Sequence, residues 1–384
     1  MVSTEIAASP SAKLDHQAYI WQRQWTPAVS AAIDHVKPDL SGLRVLALQF
    51  DPIRGWTSPS AIHFTAFRDV PVVLVVRLEQ LPAGDGQGET LNQLMALLSR
   101  WRAGTSEVRG LEIDFDSATS QLARYAEFLM ELRARMPKGY PLSITVLPTW
   151  IESKAFPALA QSVDLLVLQV HAIQRPPAPL FEPNHAWQWI ARLQRATEKP
   201  FLLALPTYGS RVHFDVDHSI IAVESEQKLG SLGAAGTSEQ YAAAPVLFAF
   251  VRELEDRAPA GLTGVAWFRL PTTRDQRAWS AQTLLAVIRG TPLESKVQSE
   301  LRQSAADSFD VLLHNTGNMD GELPHRVRLH AECRAGDGAR TFEFDLQAKH
   351  FLRSSAASLP AGRRIVVGWV RCVALEGSDV ELVW

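Results

Sequence analysis

Apolar and polar positions alternate between two periods along the first 290 residues. Short apolar or β-branched runs occupy residues 18–25, 43–51, 71–79, 108–116, 142–150, 163–171, 201–208 and 261–270. Between them lie stretches in which apolar residues recur every three or four positions. The clearest are 89–102, 120–136, 185–197, 244–257 and 279–289. Leu91, Leu94, Met95 and Leu98 share one helical face, as do Leu122, Tyr125, Phe128, Leu129 and Leu132. Eight strand-like runs interleaved with helices predict a parallel sheet, most economically a (β/α)8 barrel of the TIM type. A doubly wound sheet is the alternative, but no glycine-rich phosphate turn follows the first run. The segment 230–236 has the wrong glycine spacing and reads as a loop.

Beyond Gly290 the helical period disappears. A polar linker is expected over 291–307, then strands at 309–314, 325–332, 340–346, 364–373 and 379–384, with Gly336-Asp337-Gly338 as a turn. Strands at this spacing predict a small β-sandwich-like domain. The expected organisation is a disordered N-terminal segment over 1–15, a barrel over 16–290, the linker, and a β-rich domain over 308–384. A hairpin, 211–215 and 219–225 with Asp217 and His218 at its turn, is expected after the seventh run. His213, Asp215, Asp217 and His218 read better as a polar hairpin than as metal ligands, and no metal or other cofactor is expected.

Composition narrows the partners. With 38 basic against 41 acidic residues and a net charge of −3, no basic surface for nucleic acid is expected. No apolar run reaches the roughly 18 residues of a membrane span. Residues 1–15 hold no apolar stretch of the signal-peptide kind. The two cysteines, Cys333 and Cys372, form no C-x-x-C pair; they are either two buried thiols or a disulfide across the sheets, which would imply an oxidising compartment. The 11 tryptophans are a surplus. At strand ends such rings either fill the core or stack on sugars. No Gly-x-Ser-x-Gly elbow and no His-Glu-x-x-His motif is present.

The most informative run is Val108-Arg109-Gly110-Leu111-Glu112-Ile113-Asp114-Phe115-Asp116. Strand side chains alternate faces, so Leu111, Ile113 and Phe115 turn to the helices while Glu112, Asp114 and Asp116 point into the barrel. Inward carboxylates are costly unless paired or protonated. Their proximity should raise at least one pKa, the condition for a general acid beside an ionised helper. Asp116 ends the run, at the face where barrel enzymes hold their sites. The structural alternative is a buried network with an inward arginine such as Arg77 or Arg23.

Residues 109–116 resemble the fourth-strand signature of family-18 glycoside hydrolases, Asp-Gly-x-Asp-x-Asp-x-Glu. Gly110 and Asp114 match; Arg109 replaces the first Asp, Glu112 another, and Asp116 stands where the catalytic Glu is expected. Leu205-Pro206-Thr207-Tyr208-Gly209 is similar to the family's seventh-strand Pro-x-Tyr-Gly. Trp267 resembles the eighth-strand Trp that floors the sugar subsite. The sixth strand departs, with Leu168-Gln169-Val170-His171 in place of Met-x-Tyr-Asp. The opening segment from Tyr19 to Trp25 resembles an uncharacterised bacterial family with this barrel, commonly secreted or lipid-anchored.

The resemblance covers about 16–290. It implies a glycosidase acting on a polysaccharide, with Asp116 as general acid, Asp114 as helper, and attack by the substrate's own acetamido group. Substrate-binding residues are expected to be Glu112, Trp21, Trp150, Gln169, His171, Tyr208, Trp267 and Arg269. An extracytoplasmic, periplasmic or secreted location is expected. The alternatives are a non-catalytic carbohydrate-binding barrel and a cell-envelope assembly factor that binds protein.

Overall fold

A computed structural model describes residues 14–384 except 83, 174–177, 218, 225–234 and 356. The first 13 residues, His218 and most of the expected loop at 230–236 lie outside the described residues. The chain divides into two compact units, Met1–Ala278 and Trp279–Trp384.

The first unit is a closed barrel of eight parallel strands: β1 (Asp15–Ile20), β2 (Gly42–Asp51), β3 (Val72–Leu78), β4 (Val108–Phe115), β5 (Leu142–Val146), β6 (Leu165–Gln169), β7 (Phe201–Pro206) and β8 (Leu262–Phe268). Each pairs with its sequence neighbour, and β1 pairs with both β2 and β8, so no edge is left unpaired. The strands are buried on both faces, which is why they read as continuous apolar runs. Helices α1 (Pro27–Val36), α2 (Asp85–Gly104), α3 (Leu122–Arg135), α4 (Phe156–Gln161), α5 (Pro183–Ala196) and α6 (Ala244–Arg257) connect them. In α3, Leu122, Tyr125, Phe128, Leu129 and Leu132 are the buried stripe that the helical period marks. The period passed over α1 and α4, which are short and rich in alanine. The first strand begins and ends earlier than its apolar run, because Trp21 to Trp25 leave the sheet as a loop.

After β7 the expected hairpin is present as Gly209–Phe214 against Ile220–Glu224. A third strand, Gly236–Tyr241, pairs with the other side of Gly209–Phe214. This strand is mostly polar and carries no apolar alternation. Among the described residues no group of His, Cys, Asp or Glu has metal-ligand geometry. His213 instead pairs with Glu224 at 3.1 Å.

The second unit holds helix Ala281–Arg289, which was expected within the barrel domain, and antiparallel sheets. Part of the expected linker is a strand, Val297–Ala305, which pairs with Ser308–Asn315. Its alternation is weak because it is half-buried to exposed along its length. The glycines read as a turn at 336–338 lie inside the strand Cys333–Gly338. A side chain at Gly336 would meet the Phe344 ring, and one at Gly338 the Phe342 carbonyl, so these glycines permit close packing rather than reversal. Cys333 and Cys372 form a disulfide between directly paired residues of neighbouring strands, within one sheet rather than across two.

Candidate active site

Inside the barrel, charged residues sit at two depths. In the deeper layer Glu112 is fully buried. It accepts hydrogen bonds from Tyr19 Oη at 2.7 Å and Ser143 Oγ at 3.1 Å and is paired with Arg44. Arg44 Nε also donates to Gln17 Oε1 at 2.9 Å. Glu112 is therefore consumed by the barrel interior and does not line the cleft, contrary to its expected role in holding substrate. Burial pushes the Tyr19 phenol well up, with Glu112 adding to the effect, so the phenol stays a donor.

Two residues further along β4, roughly 6–7 Å toward the mouth, Asp114 faces Arg77 of β3, its direct partner in register. Arg77 Nη1 reaches Asp114 Oδ2 at 3.0 Å and Nη2 reaches Asp116 Oδ2 at 2.8 Å. Thr145 Oγ1 donates to Asp114 Oδ1 at 2.7 Å. Glu79 lies 3.4 Å from Arg77 Nε. One guanidinium thus holds both expected catalytic carboxylates.

The environments of those carboxylates differ from the expectation. The Asp114 side chain is 9% exposed and that of Asp116 is 47% exposed. Burial raises the Asp114 pKa, and the Asp116 and Glu112 charges add to it, while Arg77 and Thr145 oppose it. Burial thus falls on Asp114 rather than on the expected acid, because β4 ends at Phe115 and Asp116 stands beyond it at the rim. Burial weakens the charge of Arg77, but Asp114 and Asp116 hold its pKa above the ordinary guanidinium range.

A cavity of about 270 Å³ opens over this pair. Besides Asp114, Asp116, Arg77 and Glu79, it is lined by Tyr19, Trp21, Arg23, Thr145, Gln169, His171, Ala204, Tyr208 and Phe268. Trp21, Gln169, His171 and Tyr208, all expected to bind substrate, line this cavity together. Tyr208 Oη lies 3.5 Å from His171 Nδ1, and Gln169 Nε2 donates to the His171 carbonyl at 3.2 Å. Burial pushes His171 down to about 3 and Tyr208 up to about 12, so at neutral pH one is an uncharged imidazole and the other a phenol. His171 Nε2 is buried with no hydrogen-bond partner among the described residues.

Besides Glu112, three residues expected to bind substrate lie elsewhere. Trp150 is buried, donates its indole N–H to the Ser117 carbonyl at 2.9 Å and packs on Tyr125. Trp267 is wholly buried, lies nearly coplanar with the His16 ring and donates its indole N–H to Nδ1 at 3.2 Å. Its neighbours Ala266 and Phe268 belong to the barrel-interior cluster, so period-two alternation turns Trp267 toward the outer layer. Phe268 takes the place in the pocket, against Trp21 at 5.1 Å and His171 at 5.8 Å between ring centroids. Arg269 pairs with Asp275 at 2.7 Å and does not line the cavity.

Arg77 is the inward arginine named from the sequence; alternation could also have found Thr145 and Ser143. Val73, Val75 and Arg77 share a face of β3, with Glu79 just past its end, as Ser143 and Thr145 share one of β5.

The first unit is thus a (β/α)8 barrel with a carboxylate-lined pocket at its mouth. The chain belongs to the family described as "Domain of unknown function (DUF3142)", whose model matches residues 68–273. A second model, "Domain of unknown function (DUF8456)", matches residues 298–373. No curated protein matches by sequence. Among solved structures, the chain is similar to the spore cortex-lytic enzyme SleL of Bacillus cereus, at 14% identity and a TM-score of 0.51, covering 71% of this chain and 74% of that one. SleL of Bacillus megaterium gives 14% identity and 0.51, over 72% and 73%. A chitinase from Chromobacterium violaceum gives 15% identity and 0.51, over 73% and 100%. At these identities the likeness concerns the fold. Among the described residues no helix is long and apolar enough to cross a membrane.

Proposed function

We propose that this protein binds a polysaccharide in the mouth pocket and hydrolyses it as a glycosidase, with Asp116 as general acid and Asp114 as helper. The observation that carries the reading is the convergence of Asp114, Asp116, Tyr208, Gln169, His171 and the Trp21–Phe268 aromatic pair on one cavity. Aromatic faces suit the apolar face of a sugar ring, and the phenol and amide suit its hydroxyls. Asp116 is half-exposed at the rim, beside the similarly exposed Glu79, and it is the carboxyl to which the family resemblance gives the acid's place. To act as an acid it must leave Arg77, which keeps its grip on the buried Asp114. A protonated Asp116 then gives its proton to the glycosidic oxygen, the C–O bond breaks, and water completes hydrolysis while returning a proton to Asp116. The sugar's acetamido group would supply the first nucleophile, as the family resemblance implies. The Cys333–Cys372 disulfide supports an extracytoplasmic location.

A second reading, binding without hydrolysis, is favoured by one observation: Arg77 holds Asp116 in an ion pair at 2.8 Å. A glycan-array screen of the full chain, followed by product analysis of each hit, separates the two. Asp116→Asn should lower turnover by about a hundred- to ten-thousandfold while binding survives. Cleavage at the wild-type rate would remove Asp116 from the chemistry, and binding with no turnover in the wild type would leave the binding barrel.

A further inference from the structure

In the second unit, strands Val297–Ala305, Ser308–Asn315, Arg364–Cys372 and Cys333–Gly338 lie side by side in that order. Phe309, Val311, Val370 and Cys372 belong to the core of this unit. Period two therefore turns Asp310, Trp369 and Arg371 to the opposite face. Register completes a row: Arg302 stands opposite Asp310, Asp310 opposite Trp369, and Trp369 opposite Asp337. Directly opposite residues of antiparallel strands share a face. The four side chains thus cross the whole sheet, over about 14 Å at the usual strand spacing.

Trp369, within this row, is 39% exposed. Among the described residues its ring packs on no other aromatic ring and its indole N–H has no hydrogen-bond partner. Its two flanking carboxylates differ. Arg302 holds Asp310 Oδ2 through Nη2 at 2.6 Å and Nε at 3.1 Å. Asp337 is exposed, and among the described residues its carboxylate has neither an ion pair nor a hydrogen bond. Arg371, the next residue on this face of its strand, stands opposite the small Ser308 and Ala335. Arg302 and Arg371 balance Asp310 and Asp337, and the neighbouring Glu300 and Arg364 pair with each other at 2.7 Å. The face therefore offers a bare indole and an unoccupied acceptor with no net charge. The ligand it suits is uncharged, with a flat apolar side and hydroxyl donors at its edge. A pyranose with equatorial hydroxyls has that shape.

We propose that this face of the second unit binds an uncharged β-linked polysaccharide, with one sugar ring stacked on Trp369 and its hydroxyls donating to Asp337. The site stands on the second unit alone and goes beyond the barrel reading, since it requires no chemistry at Asp116.

The test is titration of the nitrogen-15-labelled full chain with chitohexaose and with cellohexaose, followed at the indole N–H resonances. Trp369→Phe removes the Trp369 resonance and so assigns it. At least one hexasaccharide should shift that resonance saturably, in the wild type and equally in Trp21→Ala, which lacks an aromatic wall of the mouth pocket. Asp337→Ala changes an exposed, unpaired position and should weaken binding at this resonance by about fivefold or more. Added salt should leave the affinity unchanged. A Trp369 resonance that moves with neither hexasaccharide, or an Asp337→Ala variant that binds as tightly as the wild type, overturns the inference. So does an affinity that falls with salt, which would mark a charged ligand. A shift lost in Trp21→Ala would confine the sugar to the barrel mouth, overturning this site and leaving the barrel reading intact.

Discussion

Replacing Arg77 by Met keeps the apolar stem and removes the charge that Asp114 and Asp116 share. Asp114 then stays buried with Thr145 Oγ1 as its remaining side-chain donor. Breaking a buried pair from one side costs roughly 3–5 kcal/mol. The half-exposed contact to Asp116 adds at most about 1 kcal/mol. A ceiling applies, because Asp114 can escape by taking up a proton. Protonating a carboxyl of ordinary pKa costs about 4 kcal/mol at pH 7 and about 1.5 kcal/mol at pH 5. The Asp114 pKa is already raised in the wild type, so the measured difference should fall below each ceiling. The sign follows: a carboxyl whose folded pKa is raised binds its proton more tightly in the folded state, so stability falls as pH rises above about 4. The penalty for Arg77→Met should therefore be about 2–4 kcal/mol at pH 7 and clearly smaller at pH 5. Urea unfolding at both pH values, followed by tryptophan fluorescence, measures it. Adding Asp114→Asn should restore stability at pH 7 and make the remaining difference from the wild type similar at the two pH values. A penalty equal at the two pH values, or a double variant no more stable than the single one, would refute the reasoning.

Two further outcomes follow from groups buried elsewhere. His171 is pushed down to about 3, so the folded state binds fewer protons than the unfolded chain between that value and about 6.5. Stability present above pH 6.5 should be lost as pH falls through this window, by up to about 1.4 kcal/mol per unit, and His171→Gln should flatten the profile. In the second unit, the disulfide closes a sequence separation of 39 residues, which corresponds to about 4 kcal/mol of chain entropy. Reduction, or the Cys333→Ser/Cys372→Ser double variant, should lower the unfolding midpoint of that unit while glycan binding at the barrel mouth persists; an unchanged midpoint would mean that the bridge constrains nothing.

The sequence by itself determined the architecture and the direction of the acidic strand. Eight apolar runs alternating with helical periods leave few folds, since a parallel sheet with helices between its strands buries both faces. On β4, period two alone sends Glu112 and Asp114 inward and Leu111 and Ile113 outward. The tertiary structure decided everything that depends on depth and on neighbours distant in the chain. Glu112 and Asp114 share a face, yet the first meets Arg44 and Tyr19 in a closed layer and the second opens into the cavity. Asp116, two residues on, stands past the last hydrogen-bonded residue of the strand and is half-exposed, so its environment belongs to the rim and to Arg77. The eighth strand shows the same limit at single-residue resolution. A resemblance centred on Trp267 cannot tell which of two adjacent aromatic residues faces inward, and the register of β8 against β1 and β7 gives that place to Phe268. The cysteines follow the same logic: two candidates were legible, but only the pairing of Cys333 with Cys372 across adjacent strands brings their sulfurs together. Local pattern reports which way a side chain points along its own strand; what it meets there is set by strand order and register, which are properties of the closed barrel and the paired sheets.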